Sequence, residues 1–256
     1  MSPALEIFVV VAASLVSGFI NTLASSSSAV TLPLMIVLGL PATVANGTNR
    51  VPILAGALAA LLAFHRAGVL EWRNGLFFSI PVIAGTVVGA ALASVLDARV
   101  MGWAVVGAVV AAFIMLVSNP KRFLQEAAPD GPRVGFLTAA VFVPIGIWAG
   151  FIVLDSATYM LLGLVVVVGY DLIRANAIKS LFLLWISLAS LLVFYVEGEV
   201  DWRIGSWLSA GSILGSWAGG RFATKEWAKV WVFRLLLIVI LAEIGQLLHR
   251  FGVLRF

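Results

Sequence analysis

The longest stretch of this 256-residue chain suited to water is "SNPKRFLQEAAPDGPR", residues 118–133, with three of the nine prolines and five charged side chains. Around it, charges and turn residues cut the sequence into ten apolar segments, about 4–24, 28–41, 44–64, 74–95, 100–117, 134–153, 156–170, 175–195, 204–222 and 230–248. That pattern admits little besides membrane-embedded helices. In hydrocarbon every backbone N–H and C=O must be paired within the protein, and a helix does this within one segment. Composition agrees: 62% of residues are hydrophobic and 11% charged, against roughly 45–50% and 25% in soluble domains. Mean hydropathy is +1.11. Charge is too scarce to coat a water-facing surface, and no segment is left over for a soluble domain. The expected fold is an all-α polytopic integral membrane protein. The first apolar stretch lacks a basic leader and a cleavage site followed by soluble sequence, so it reads as a retained span.

Several chemistries drop out. Without cysteine there are no disulfides or thiolate metal sites, and His65 and His249 alone do not make a metal cluster. No cofactor is implied. There is no HExxH, no GxSxG and no Cys nucleophile, and Asp155 and Asp171 lack the context of an intramembrane aspartyl protease. An enzyme is not expected. The pI near 9.9 reflects loop lysines and arginines rather than nucleic-acid binding.

The ten segments form two sets of five. Shifted by 130 residues, "VANGTNRV" from Val44 falls on "RANAIKSL" from Arg174, and "AGVLEWRNG" from Ala67 falls on "EGEVDWRIG" from Glu197. Gly39, Gly85 and Gly89 land on Gly169, Gly215 and Gly219, and Trp72-Arg73 on Trp202-Arg203. A tandem duplication is expected: 1–117 as first repeat, 118–133 as cytoplasmic linker and 134–256 as second repeat. The glycine pairs have the small-xxx-small spacing of closely packed membrane helices. Sorting Lys and Arg by alternating loops puts eleven of the sixteen on the linker side and five on the other. The positive-inside rule then places the linker in the cytoplasm and both termini outside. Five segments per repeat is odd, so the halves are expected to be inverted, a plan used by secondary transporters.

A full crossing takes about 20 apolar residues, and segments 28–41 and 156–170 fall short. Each is expected to be a broken helix with one end near the midplane. Their polar flanks are "ASSSS" and "NGTNR", then "LDS" and "RANAIK". Half-helix N-termini offer free N–H groups to an anion, and Ser25, Ser26, Ser27 and Ser28 would add hydroxyl donors. Capping and close packing is the other use of such serines. Arg50 offers a planar fork that matches oxyanions. Lys179, in register with Asn49, could pair with an anion or snorkel to the surface. Asn46 and Asn176 are repeat mates that would flank a central site, with Asn21 and Thr48 completing the polar set. Asp155, beside Ser156, could carry a coupling proton, bind a cation or pair with Lys179 or Arg50. A small anionic substrate and the lipid bilayer are the expected partners. Proton or cation coupling and assembly as a homodimer are compatible with this reading.

The stretch "GFINTLASSSSAVTLPLMIVLGLPATVANGTNRV", then "AFHRAGVLEW", "RANAIK" and "DWRIG", resembles the TauE/SafE family of sulfite and organosulfonate exporters over nearly the whole chain. Members usually have glycine-rich stretches where this chain has Ser25 to Ser28 and "GFIVLDS". The resemblance implies export of a small sulfur-containing anion such as sulfite or a sulfonate, across the cell inner membrane. An anion channel or a carboxylate transporter is the alternative, because a pore and a carrier can use the same donors.

Overall fold

The computed structural model describes residues 3–24, 28–93, 110, 113–118, 120–125, 127–128, 131–151 and 156–250. Ser25, Ser26, Ser27, Asp155 and most of segment 100–117 lie outside them. The described elements are α1 (Pro3–Leu23), α2 (Ser28–Val37), α3 (Ala42–Thr48), α4 (Arg50–Arg66), α5 (Trp72–Ala93), α6 (Pro120–Leu124), α7 (Phe136–Ala140), α8 (Phe142–Phe151), α9 (Ser156–Leu162), a π-helical turn (Gly163–Val168), α10 (Leu172–Val196), α11 (Trp202–Ala223) and α12 (Ala228–Arg250). No strand occurs among the described residues. Three helical spans, Ala4–Leu23, Thr43–Arg66 and Leu172–Val196, are long and apolar enough to cross a bilayer. The chain is an all-helical polytopic membrane protein.

Prolines explain where helices break. Pro52 has no N–H for the Thr48 carbonyl, and the α3–α4 span is interrupted at Asn49. Pro144 stands in the same relation to Ala140, and segment 134–153 divides there into α7 and α8. The second copy of the 44–50 motif behaves differently. Phe182 replaces Pro52, and the Asp171 carboxylate accepts from the backbone N–H of Ile173 and Arg174 at 2.9 Å. That N-cap starts α10 at Leu172, so "RANAIK" is helix interior and not the polar break its counterpart suggests.

Local geometry recurs at positions 130 apart. Gly39 and Gly169 have φ of 94° and 99°, and Gly68 and Gly198 both have 72°. His65 and Trp72 meet edge to face at 5.9 Å, as Tyr195 and Trp202 do at 5.9 Å.

The main packing is between α1 and α11 and between α5 and α8, and it is backbone against backbone. A Cβ added to Gly215 would lie 1.9 Å from the Leu15 carbonyl oxygen, and one on Gly85 would lie 2.3 Å from that of Val143. Likewise Gly18 would meet Ser212 O at 2.7 Å and Gly146 would meet Val82 O at 2.3 Å. In each pair the α5 and α11 positions are 130 apart and the α1 and α8 positions 128 apart, so one contact is built twice. Lipid provides no hydrophobic drive between helices, and such close approach gains dispersion contacts instead. By these contacts α1 and α5 are each clamped to a helix from the other half of the chain.

The clamps give a direct test. Gly215→Ala and Gly85→Ala should each lower the melting temperature in detergent, by an overpacking cost of about 1–3 kcal/mol or more. Gly245→Ala, in α12 with nothing within 4 Å of the new methyl, should be neutral or gain up to about 1 kcal/mol. Equal melting of all three variants would contradict the packing described.

Candidate functional site

Between α1, α2, α4 and α11 lies a small cavity of about 10 Å³, room for roughly one water molecule. Its lining is unusually polar for the interior of such an apolar chain: Ser14, Ser17, Asn21, Thr31, Asn49 and Ser212, with Pro52 and Ile53. Three of the lining hydroxyl and amide groups hold the walls together. Thr31 Oγ1 donates to Asn49 Oδ1 at 2.7 Å, Asn49 Nδ2 donates to Ser28 Oγ at 3.0 Å, and Ser212 Oγ donates to Pro52 O at 2.6 Å. Asn49 therefore ties the first turn of α2 to the α3–α4 break. It can do so because the Pro52 interruption sets its side chain at a helix junction.

Two buried cations flank the cavity. Arg50, next to Asn49, is 3% exposed. Its Nη2 donates to Asn46 Oδ1 at 3.1 Å, its guanidinium lies over the Phe194 ring at 5.7 Å, and its Nε is buried with no partner among the described residues. Lys179 is fully buried and donates from Nζ to the backbone oxygens of Asn21 (3.0 Å), Thr22 (2.9 Å) and Ala24 (2.9 Å). Among the described residues neither cation has a carboxylate partner; the ion pairs there are Arg174 with Glu71 and Asp171, and Lys229 with Glu226. Lys179 is thus directed at the end of α1 and does not reach the surface. The two charges are compensated unequally, Lys179 by three carbonyls and Arg50 by one amide oxygen and a ring face.

These residues do not converge on a single point. Arg50 packs beside Phe194, fifteen residues along α10 from Lys179, which is about 22 Å at 1.5 Å per residue. Asn46 is with Arg50, while Asn176 is one turn from Lys179, so the two asparagines sit toward opposite ends of the helix pair and do not face each other across one centre. Asn176 is 1% exposed and both atoms of its amide are unpartnered. Thr48 faces the loop before α11, its Oγ1 accepting from Asp201 N at 2.8 Å. Ser156 opens α9 and is buried.

Other polar groups were not singled out by their types alone. Ser14, Ser17 and Ser212 sit on the same small-residue stripes as Gly18, Gly211 and Gly215, where a hydroxyl is hard to tell from a spacer. A cluster at the base of α5 also joins the two halves. Tyr170 OH donates to Glu71 Oε2 at 2.8 Å, Asn74 Nδ2 to Tyr170 OH at 2.9 Å, and Arg174 Nη1 to Glu71 Oε1 at 3.2 Å. The linker reaches the same region: Ala128 N donates to Gly169 O, Arg133 N to Val168 O and Arg122 Nε to Val165 O. It thereby caps carbonyls that the π-helical turn leaves open.

A family model described as "Sulfite exporter TauE/SafE" matches residues 10–247. The chain belongs to the TauE/SafE family. It is similar to three proteins named as probable membrane transporter proteins. One, ORF9 of Sinorhizobium sp, is 28% identical over 237 residues, 92% of this chain and 90% of that one. A Haemophilus influenzae protein is 27% identical over 213 residues, 82% of each. YfcA of Escherichia coli strain K12 is 24% identical over 218 residues, 85% of this chain and 80% of its own. No solved structure matches the chain. Membership makes it a multi-pass membrane transporter.

Within this family member Asn49 is the residue whose loss should loosen the cavity. Asn49→Ala removes both the Thr31 and the Ser28 bonds and should cost about 1–3 kcal/mol, read as a lower melting temperature. Asn49→Asp keeps an acceptor for Thr31 and for a donating Ser28 hydroxyl and should recover part of the loss. No destabilisation in Asn49→Ala would show that this link does not hold α2.

Proposed function

We propose that the protein is a secondary transporter, and an exporter, of a small sulfur-containing or organic anion of the sulfite and sulfonate class. One observation carries the reading: Arg50 is buried with a free Nε and no carboxylate partner among the described residues. A buried charge is costly unless it is paired. The group best suited to pair with a guanidinium fork is a planar or tetrahedral oxyanion. The neighbouring cavity adds the neutral amides of Asn21 and Asn49, which engage an anion without demanding a particular protonation state.

The halves act as inverted repeats, with the linker in the cytoplasm and both termini on the outer face of the cell inner membrane. The twice-built glycine contacts support this reading, because helix pairs that are locally alike can exchange roles between outward-open and inward-open arrangements. Arg50 and Asn46 meet the anion on the outer side. Asn21, Ser28 and Asn49 belong to the central passage, Thr48 lies with Arg50 on the outer side, and Asn176 and Lys179 lie toward the inner side; Ser25 to Ser27 and Asp155, outside the described residues, keep their proposed roles as anion donors and, with Ser156, as the coupling group. The choice of sulfite and sulfonates over carboxylates rests on the family's description.

Flux in proteoliposomes tests this. Sulfite, small sulfonates and small carboxylates should be offered to wild type, Arg50→Gln and Arg50→Lys, with and without a pH gradient. Arg50→Gln should lose more than about tenfold in apparent affinity, the equivalent of 1.4 kcal/mol. Arg50→Lys should fall between, since it keeps charge and loses the fork. Unchanged flux in Arg50→Gln together with a lower melting temperature would make Arg50 a structural residue and remove the main support for an anion.

A further inference from the structure

We propose that the Lys179 ammonium is a tethered cation, filling a monovalent-cation site built by the end of α1. The last carbonyls of a helix have no N–H further along to pair with, and they carry the negative end of the helix dipole. Inside a bilayer water cannot satisfy them. Here α1 ends at Leu23, and the oxygens of Asn21, Thr22 and Ala24 converge on Nζ at 2.9–3.0 Å. Three carbonyl oxygens around one positive centre, fully buried and with no carboxylate among the described residues, are the ligand set that discontinuous helices elsewhere present to a dissociable alkali ion. An ammonium and a potassium ion are similar in size and charge.

The repeat sharpens the point. The mate of Lys179 is Asn49, which is neutral and bonds to Ser28 and Thr31 on α2. Of these two matched positions only the second carries a cation, at the helix end whose Asn21 also lines the cavity. Its charge cancels the negative end of α1 that an anion in the cavity would otherwise face. Because the lysine cannot dissociate, this position draws on neither sodium nor potassium during the cycle. The inference stands whether or not the substrate proposed above is correct, since its readout is cation binding to the protein alone.

Wild type, Lys179→Ala, Lys179→Ser and Lys179→Met should be melted in detergent in sodium, potassium, methylammonium and choline chloride at one ionic strength. Wild type should melt at the same temperature in all four. Lys179→Ala and Lys179→Ser open the space, and each should melt lower in choline and regain at least about 3 °C, saturably, in one or more of the three small cations. Lys179→Met fills the space with apolar atoms, so it should stay low in every salt. The proposal is overturned if the alanine and serine variants melt identically in all four salts, or if the methionine variant is as stable as wild type. Failure of both small variants to accumulate in cells would also contradict it, because intracellular potassium should fill the opened site.

Discussion

A helix end buried away from water must find partners for its last carbonyls, and at the end of α1 the partner is Lys179. Much of the centre follows from that contact. It satisfies the buried end of α1, leaves Asn21 beside a cavity, and goes with a start of α2 at Ser28 within reach of Asn49. Replacing a buried ion's partners by nothing typically costs several kcal/mol. The lysine and the end of α1 therefore depend on each other. Arg50, next to Asn49, has no comparable set of partners among the described residues, only one amide oxygen and a ring face.

The glycine contacts explain how such a centre is held in place. Carbonyl oxygens of α1 sit against Gly211 and Gly215, and those of α5 against Gly146 and Gly150. Side chains there would force the helices apart and open the cavity. The same spacing of small residues brings Ser14, Ser17 and Ser212 close enough to line it. Packing and polarity thus come from one stripe of residues, with glycine at the closest approach and serine one turn away.

Much of the architecture was legible in the sequence, and the reasons are physical. Hydropathy sets the apolar segments, and the 130-residue register of Gly39, Gly68 and Trp72 with Gly169, Gly198 and Trp202 reappears as matching φ angles and ring contacts. The two copies of one motif do not share a backbone, however. Pro52 breaks the first and Asp171 caps the second, so reading "RANAIK" as a break because "NGTNR" is one misplaces its start. Arg50, Lys179 and Asn176, which residue type singles out, are buried. Their partners could not be read off, because Lys179 bonds to backbone oxygens more than 150 positions away and carbonyls carry no sequence signal. The serines at 25–27 and Asp155, the most conspicuous features of the sequence, lie outside the described residues.

The proposed function requires a small anion to pass the cavity bounded by Asn21 and Asn49, which must widen beyond its present room for about one water molecule. The chain has no cysteine, so a thiol placed at Asn21 is the sole target of a small water-soluble maleimide. Its alkylation rate should be measured in the purified protein with and without methanesulfonate, other small sulfonates and small carboxylates, beside a Val37→Cys control on a surface that is 83% exposed. Saturable slowing at Asn21→Cys by at least one sulfonate, with Val37→Cys unaffected, is the result expected. An Asn21→Cys rate that no anion changes, in a variant that still transports, would place the substrate elsewhere.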